Sequence, residues 1–448
     1  MRIFSFGLRT CRDYASVVLA WFLVYVELCF RLILALIPRV IRGRMRKAVR
    51  TLYDYFIFSK SGSGMTGVIQ RCRNIYEICE AFGYIAEEHL VRTEDNFVLC
   101  LHHIVNPKLR NTSGKHRGVV YFQHGLMTNS ELWVAVDKAS NCLPFALVDR
   151  GYDVWLGNNR GNKYSRKHVR YSPNDEEFWD FCIDDMAMFD IPNSINYILS
   201  ATKEKSLSYV GFSQGTAQAF AALSINPTLN EKINLFVALA PAFTPKGFSN
   251  ELLDYLVKVN PKIMFRLFGR GCLLPSVTFW QNICYPPIYM KIVDISLKML
   301  FDWNLANITQ EQKICGYAHL YSFSSVKSCV HWLQIMQNSR FQLYDDDLKV
   351  IGGYDSRHYH VAHFPTRNIK CPITVVWGKE DTLVDMEIML AALPPQSKDF
   401  GIDGYEHLDM LWAKDVKEKV FPIVFSSLEE LNRKRPLLCN ASPIGNCD

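Results

Sequence analysis

A chain of 448 residues with 49% apolar side chains is long enough for one large α/β domain carrying an insertion, or for two ordinary domains. The net charge of +6 is uneven: residues 1–60 hold eleven Lys or Arg against three acids, an excess of +8 that leaves the rest of the chain at −2. This argues against a nucleic-acid groove on the folded part and directs the basic stretch toward anionic lipid headgroups.

In chain order, residues 15–38 read ASVVLAWFLVYVELCFRLILALIP, long enough as a helix to span a hydrocarbon core. Glu27 and Arg31 interrupt it four residues apart, on one helix face, where they can pair. A cleaved signal peptide and a segment lying in one leaflet are the competing readings. No small-residue cleavage site follows and the apolar run continues, so an uncleaved anchor is expected. Six basic residues follow the run (Arg39, Arg42, Arg44, Arg46, Lys47, Arg50) against Arg2, Arg9 and Arg12 before it, which puts the C-terminal bulk in the cytosol. Glycosylation sequons at Asn111, Asn307 and Asn440 matter only if that bulk is luminal.

Ser61-Gly62-Ser63-Gly64 reads as a joint. After it comes an amphipathic helix with Ile69, Cys72, Ile75, Tyr76, Cys79 and Phe82 on its apolar side. Residues 84–105 predict two strands around Thr93-Glu94-Asp95-Asn96. Further strands are expected at 118–123, ending in His124-Gly125-Leu126, and at 152–156, before Gly157-Asn158-Asn159-Arg160-Gly161-Asn162. An acidic, aromatic helix is expected over 176–188 and another over 195–202. Then Leu207–Val210 runs as a strand into Gly211-Phe212-Ser213-Gln214-Gly215 and a helix of small residues, with one more strand at 235–239. This alternation predicts a parallel sheet with helical crossovers. Between 244 and 367 it stops, which predicts a mostly helical insertion over the sheet's carboxyl edge. A strand at 373–377 precedes Gly378-Lys379-Glu380-Asp381, a helix covers 414–432, and the polar tail 435–448 is expected to be disordered.

Gly-x-Ser-x-Gly between strand and helix is the form of a nucleophile elbow, where glycines let the backbones pass closely. A serine hydroxyl needs a base, and the base a carboxylate. Downstream, Asp381 follows a strand and His407 lies in Gly404-Tyr405-Glu406-His407-Leu408-Asp409, giving the order Ser, acid, His. Asp381 alone reads equally as a turn cap, with Asp385 close enough to compete, and His407 alone reads as a loop histidine. The oxyanion calls for backbone N–H groups, one from Gln214 and a second from the His124-Gly125-Leu126 loop, most simply Leu126. His358, His360 and His363 form H-x-H-x-x-H with no carboxylate at metallohydrolase spacing, so no metal or cofactor is called for. The fourteen cysteines show no C-x-x-C pair. Cys29, Cys79, Cys100 and Cys182 sit among apolar neighbours as expected buried thiols, which fits a reducing compartment, although the even count leaves disulfides open.

The strings GYDVWLGNNRGNKYSRKH (151–168), YSPNDEEFWDFCIDDMAMFDIP (171–192), YVGFSQGTAQAF (209–220) and EHLDMLW (406–412) resemble those of the acid lipase family of gastric, lysosomal and membrane-anchored fungal steryl ester enzymes. The similarity covers about residues 66–430. It implies an α/β-hydrolase fold with a mostly parallel central sheet, an inserted helical cap and an N-terminal membrane anchor helix. Ser213 is then the nucleophile, Asp381 the acid, His407 the base, and Leu126 and Gln214 the oxyanion donors. Phe212 stands where gastric and lysosomal members usually carry His, and the retained anchor is again like the fungal branch. The implied organisation is a tail 1–14, anchor 15–38, basic linker 39–65, hydrolase core 66–243, cap 244–367, core 368–433 and tail 434–448. The implied activity is hydrolysis of a lipid ester, a steryl ester or a triacylglycerol, at a membrane or lipid-droplet surface. No nucleic-acid partner is expected.

Overall fold

The computed structural model describes residues 64–109, 116–251, 254–255, 262–346 and 361–434, with five single positions between 25 and 32. The expected anchor 15–38 and basic linker thus fall outside the described residues apart from those positions, as does the tail 435–448. Among the described residues no helix is long and apolar enough to cross a membrane.

The first helical stretch is broken in two, α1 (Met65–Arg71) and α2 (Ile75–Ala81). The apolar spacing runs through both, but Asn74 starts a fresh helix by accepting the N–H of Glu77, whose carboxylate in turn takes the Arg73 N–H. Next come β1 (Ile85–Arg92), β2 (Phe97–Val105), β3 (Val119–Gln123), α3 (Leu143–Asp149), β4 (Asp153–Leu156) and a two-residue β5 (Lys167–His168). The single helix expected over 176–188 is instead a 3-10 turn (Glu176–Trp179), a short helix (Ile183–Asp185) and a π-helical turn (Met186–Asp190) leading into α4 (Ile191–Thr202). Phe178, Trp179, Phe181 and Ile183 are all buried there, more large side chains over six residues than the apolar stripe of one regular helix holds.

β6 (Leu207–Ser213), α5 (Gln214–Ile225) and β7 (Ile233–Pro241) follow. The described chain then runs through α6 (Ile263–Phe268), α7 (Pro275–Ile283), α8 (Pro286–Phe301), α9 (Gln310–Tyr317) and α10 (Val326–Asn338). It returns to the sheet at β8 (Ile373–Gly378), α11 (Met386–Ala392), β9 (Lys398–Ile402) and α12 (Phe421–Lys434). The last helix begins later than its apolar pattern, after a separate turn at Val416–Lys419, because Pro422 is tolerated only in a helix's first turn.

The sheet order is β1-β2-β4-β3-β6-β7-β8-β9, with β5 on β2. Pairings β1/β2, β2/β4 and β2/β5 are antiparallel, and the rest are parallel. The central strands are buried on both faces, and the pleat sorts them. Val120, Phe122, Val210 and Val237 pack into one core, while Val119, Tyr121, Tyr209 and Phe236 pack into the other.

Two charged clusters tie loops to this sheet. Arg160, fully buried, donates to Asp190 at 2.8 Å and to Asp95 at 2.6 and 3.1 Å. Glu131, also buried, meets Lys163 at 2.5 Å and His319 at 3.1 Å and accepts from Tyr164. Burial pushes the Glu131 carboxyl up, but Lys163 and His319 outweigh it and hold it at about 2. Since His319 lies between α9 and α10, this cluster pins the inserted helices to the sheet. The described cysteines are free thiols; Cys79, Cys100 and Cys182 are buried as expected, whereas Cys29 is half-buried.

Candidate active site

Ser213 ends β6 and caps α5 with φ 52° and ψ −123°, a conformation costly for any side chain but glycine and held here by close packing. The flanking glycines are sterically required. A Cβ on Gly211 would sit 2.9 Å from the Gly215 carbonyl, and one on Gly215 would sit 2.3 Å from the Gln123 oxygen. The strand therefore turns into the helix with only the serine projecting from the elbow.

His407 Nε2 lies 2.8 Å from Ser213 Oγ, and His407 Nδ1 lies 2.7 Å from Asp381 Oδ2. The second Asp381 oxygen accepts the Leu383 N–H at 3.0 Å. With Nδ1–H donating to the carboxylate, Nε2 is left as an acceptor for the serine proton. Asp385, the competing acid, instead caps α11 by accepting the Ile388 N–H. The loops carrying Asp381 and His407 are fastened together: the Tyr405 carbonyl accepts the Glu380 N–H at 3.0 Å, and a Cβ on Gly378 would lie 2.1 Å from that carbonyl.

Gln214 is the first residue of α5, where backbone N–H groups lack an intrahelical acceptor. Its side chain is engaged elsewhere, accepting from Trp332 Nε1 at 2.7 Å. Leu126 is half-buried and follows Gly125, where an added Cβ would lie 3.1 Å from Ser213 Cβ. His124 fixes that loop. Its Nε2 accepts the Asn159 N–H at 3.0 Å, so Nδ1 carries the proton and donates to the Gly125 carbonyl at 2.8 Å. Burial holds this ring neutral, with its pKa down at about 4. All five residues singled out in the sequence thus converge on one end of the parallel strands.

Two neighbours went unnoticed in the sequence: Trp303 stacks on the His407 ring at 5.0 Å and 10°, and Phe301 stacks on Trp303 at 4.6 Å. Phe212, marked in the sequence only as a departure from the gastric and lysosomal pattern, tilts against His407 at 5.1 Å. Glu406 draws this segment in, its carboxylate accepting the Asn304 and Leu305 N–H groups at 2.8 and 2.7 Å. Glu406 was legible only as the neighbour of His407; nothing in the local sequence marks Trp303.

Of the His triplet, His358 and His360 lie outside the described residues and His363 is exposed. Among the described residues, two groups gather three possible metal-ligand atoms within 4.8 Å: Glu87, His89 and His103, and the buried Cys182, Asp184 and His331. Neither includes a residue of the Ser213 cluster.

Residues 118–414 match the family model of the α/β hydrolase fold, and residues 75–137 match that of a partial α/β-hydrolase lipase region. A Schizosaccharomyces pombe protein named probable lipase is 64% identical over 93% of this chain and 94% of its own. Human gastric triacylglycerol lipase is 34% identical over 80% of this chain and 91% of its own. Human lysosomal acid lipase/cholesteryl ester hydrolase is 34% identical over 81% and 92%. A solved Sulfolobus solfataricus structure aligns at TM-score 0.51 and 13% identity over 78% of this chain and 95% of its own, a likeness of fold alone. By its sheet, its elbow and these relatives, the chain belongs to the acid lipase family of α/β-hydrolases.

Proposed function

We propose that this chain is a serine lipase that hydrolyses water-insoluble lipid esters, steryl esters foremost, at a membrane or lipid-droplet surface. The observation that carries the reading is the relay from Ser213 through His407 to Asp381 on a strained elbow. His407 Nε2 takes the Ser213 proton as Oγ adds to the ester carbonyl. The Leu126 and Gln214 N–H groups hold the resulting oxyanion, and His407 then gives its proton to the departing alcohol oxygen. Water, deprotonated by the same ring, adds to the acyl-serine, and the fatty acid leaves as Ser213 recovers its proton. Asp381 holds the productive tautomer and balances the imidazolium.

A bulky apolar alcohol suits the aromatic surround of His407, where Phe212 and Trp303 pack on the leaving-group base and Phe301 stacks behind Trp303. The triacylglycerol reading is kept open by the gastric relative, which is as similar as the cholesteryl ester hydrolase. In this account the 244–367 insertion acts as a cap, residues 15–38 anchor the enzyme, and the catalytic part faces the cytosol. For the last point, both the Gly404 carbonyl and Asp409 accept from the Asn307 amide nitrogen, which leaves that sequon nitrogen committed to the fold. Fatty acid release from cholesteryl oleate and triolein emulsions by wild type and Ser213→Ala tests the reading. Release from the steryl ester that vanishes in the variant is expected. Equal release by both proteins would contradict it, and release from triolein alone would shift the substrate to triacylglycerol.

A further inference from the structure

Helix α8 (Pro286–Phe301) is apolar on two sides. Tyr289, Val293 and Leu297 are buried, whereas Ile288, Ile292 and Ile295 are 56%, 43% and 54% exposed, and Tyr285 at the N-cap is 42% exposed. Spacings of three and four put these exposed residues on one face, a continuous stripe on a helix about 24 Å long. Scattered single exposed apolar residues need no explanation; a stripe of this kind does.

Its surroundings indicate what covers it. Lys291 and Lys298 are exposed and seven residues apart, so both line one flank of the stripe. The acid on this helix points away: Asp294 is bound by Lys313 and Tyr317. An apolar face with a basic flank is the pattern of a helix lying in a lipid interface. Behind the stripe, Gln70 and Cys72 at the end of α1 line one pocket with Pro286, Tyr289 and Met290 at the start of α8. At its other end α8 leads to the site: the Phe301 carbonyl accepts from Thr382, and the Phe301 ring begins the stack that ends on His407.

We propose that α8 is a docking helix that lies in the lipid surface, with Tyr285, Ile288, Ile292 and Ile295 in the acyl layer and Lys291 and Lys298 among anionic headgroups. It rests on the reading of this chain as a lipase acting on a lipid phase, and it adds which face of the inserted helices meets that phase. Substrate leaving the lipid at α8 is delivered toward the aromatic stack on His407.

The test uses the full chain in phosphatidylcholine vesicles containing phosphatidylserine and cholesteryl oleate, with a soluble short-chain ester assayed in parallel. In Ile288→Ser/Ile292→Ser/Ile295→Ser, turnover of the vesicle ester falls about 10- to 100-fold, since each side chain loses its lipid contact. Soluble-ester turnover stays within about twofold and the triple Leu variant keeps both, because the catalytic groups are untouched and an apolar face is retained. Unchanged vesicle turnover, or an equal fall on both esters, overturns the proposal. So does a wild-type dimer that the Ser variant converts to monomer, which would make the face a contact between copies. A readout independent of activity is hydroxyl-radical labelling of vesicle-bound wild type. Ile292 is expected to be protected relative to Ile388, which is equally exposed at 43%; equal labelling overturns the docking face. A wild type inactive on every ester would sink the functional reading, with the labelling still deciding the helix.

Discussion

Ser213 and Ser130 each hold their hydroxyl close to a histidine nitrogen, at 2.8 Å from His407 and 2.9 Å from His102. The distances barely differ, but the surroundings do. Ser213 stands on a strained turn and is half-buried, while Ser130 is wholly buried within a 3-10 turn. His407 is backed by a carboxylate. His102 faces Asn158, the Cys100 sulfur and the Tyr76 hydroxyl, none of them a carboxylate. Burial also drives the His102 pKa down to about 3, which makes it a poor proton acceptor. A short Ser–His contact is therefore not a catalytic signature by itself; backbone strain, access and a carboxylate on the far nitrogen separate the reactive pair from the structural one.

The largest contrast should come from Asp381→Asn, which retains the shape but favours the wrong His407 tautomer: kcat falls by roughly 10³- to 10⁴-fold with little change in KM. Ser130→Ala should leave kcat within about threefold while lowering stability by about 1–3 kcal/mol, because His102 loses a buried partner. Denaturant unfolding read alongside ester turnover would break the comparison if Ser130→Ala lost activity without losing stability.

A pH series sharpens the comparison further. Burial lowers the folded-state pKa of His102 to about 3 and of His124 and His331 to about 4, below the ordinary value of about 6.5. The unfolded chain then binds more protons as pH falls below about 6.5, so stability is full above that value and is lost toward pH 4. Glu131 acts in the same direction at lower pH. With its folded pKa near 2, its contribution is present above the unfolded carboxyl value and is lost as pH falls toward 2. Buried Asp184 and Asp409, raised to about 7 and about 6, act with the opposite sign in this window, so the difference between proteins is the readout. Thermal midpoints of His102→Gln are expected to lose less than wild type from pH 7 to 4, and equal losses would contradict a buried neutral His102 ring. The smallest effect is on the aromatic stack, where Trp303→Leu should lower kcat by about three- to tenfold through a less firmly held His407 ring. An unchanged kcat would remove Trp303 from the account.

Much of the site was legible because the elbow and the acid each follow a strand whose apolar run is plain, through Val210 and Val376, and His407 comes after both in the required order. The parallel sheet was legible for the same reason. What escaped were features set by distant partners. Asn74 restarts a helix through Glu77, a side-chain cap that the apolar period overrides on paper. Residues 176–188 were misread as one helix because consecutive buried aromatics mimic an amphipathic one. β9, whose Lys398 and Asp399 are exposed, carries too weak an apolar pattern to announce a strand. Glu131 reads as a surface acid until Lys163 and His319, the latter 188 residues away, come to meet it. Trp303 acquires a role only through the Glu406 carboxylate, roughly a hundred residues downstream.

Labelling with a fluorophosphonate probe followed by peptide mapping tests the central claim most directly, since the probe reports the one serine whose hydroxyl is activated and accessible. The account predicts a single adduct on Ser213, absent from Ser213→Ala, sharply reduced in His407→Ala and unaffected by Ser130→Ala. An adduct on Ser130, or one that persists without Ser213, would contradict it.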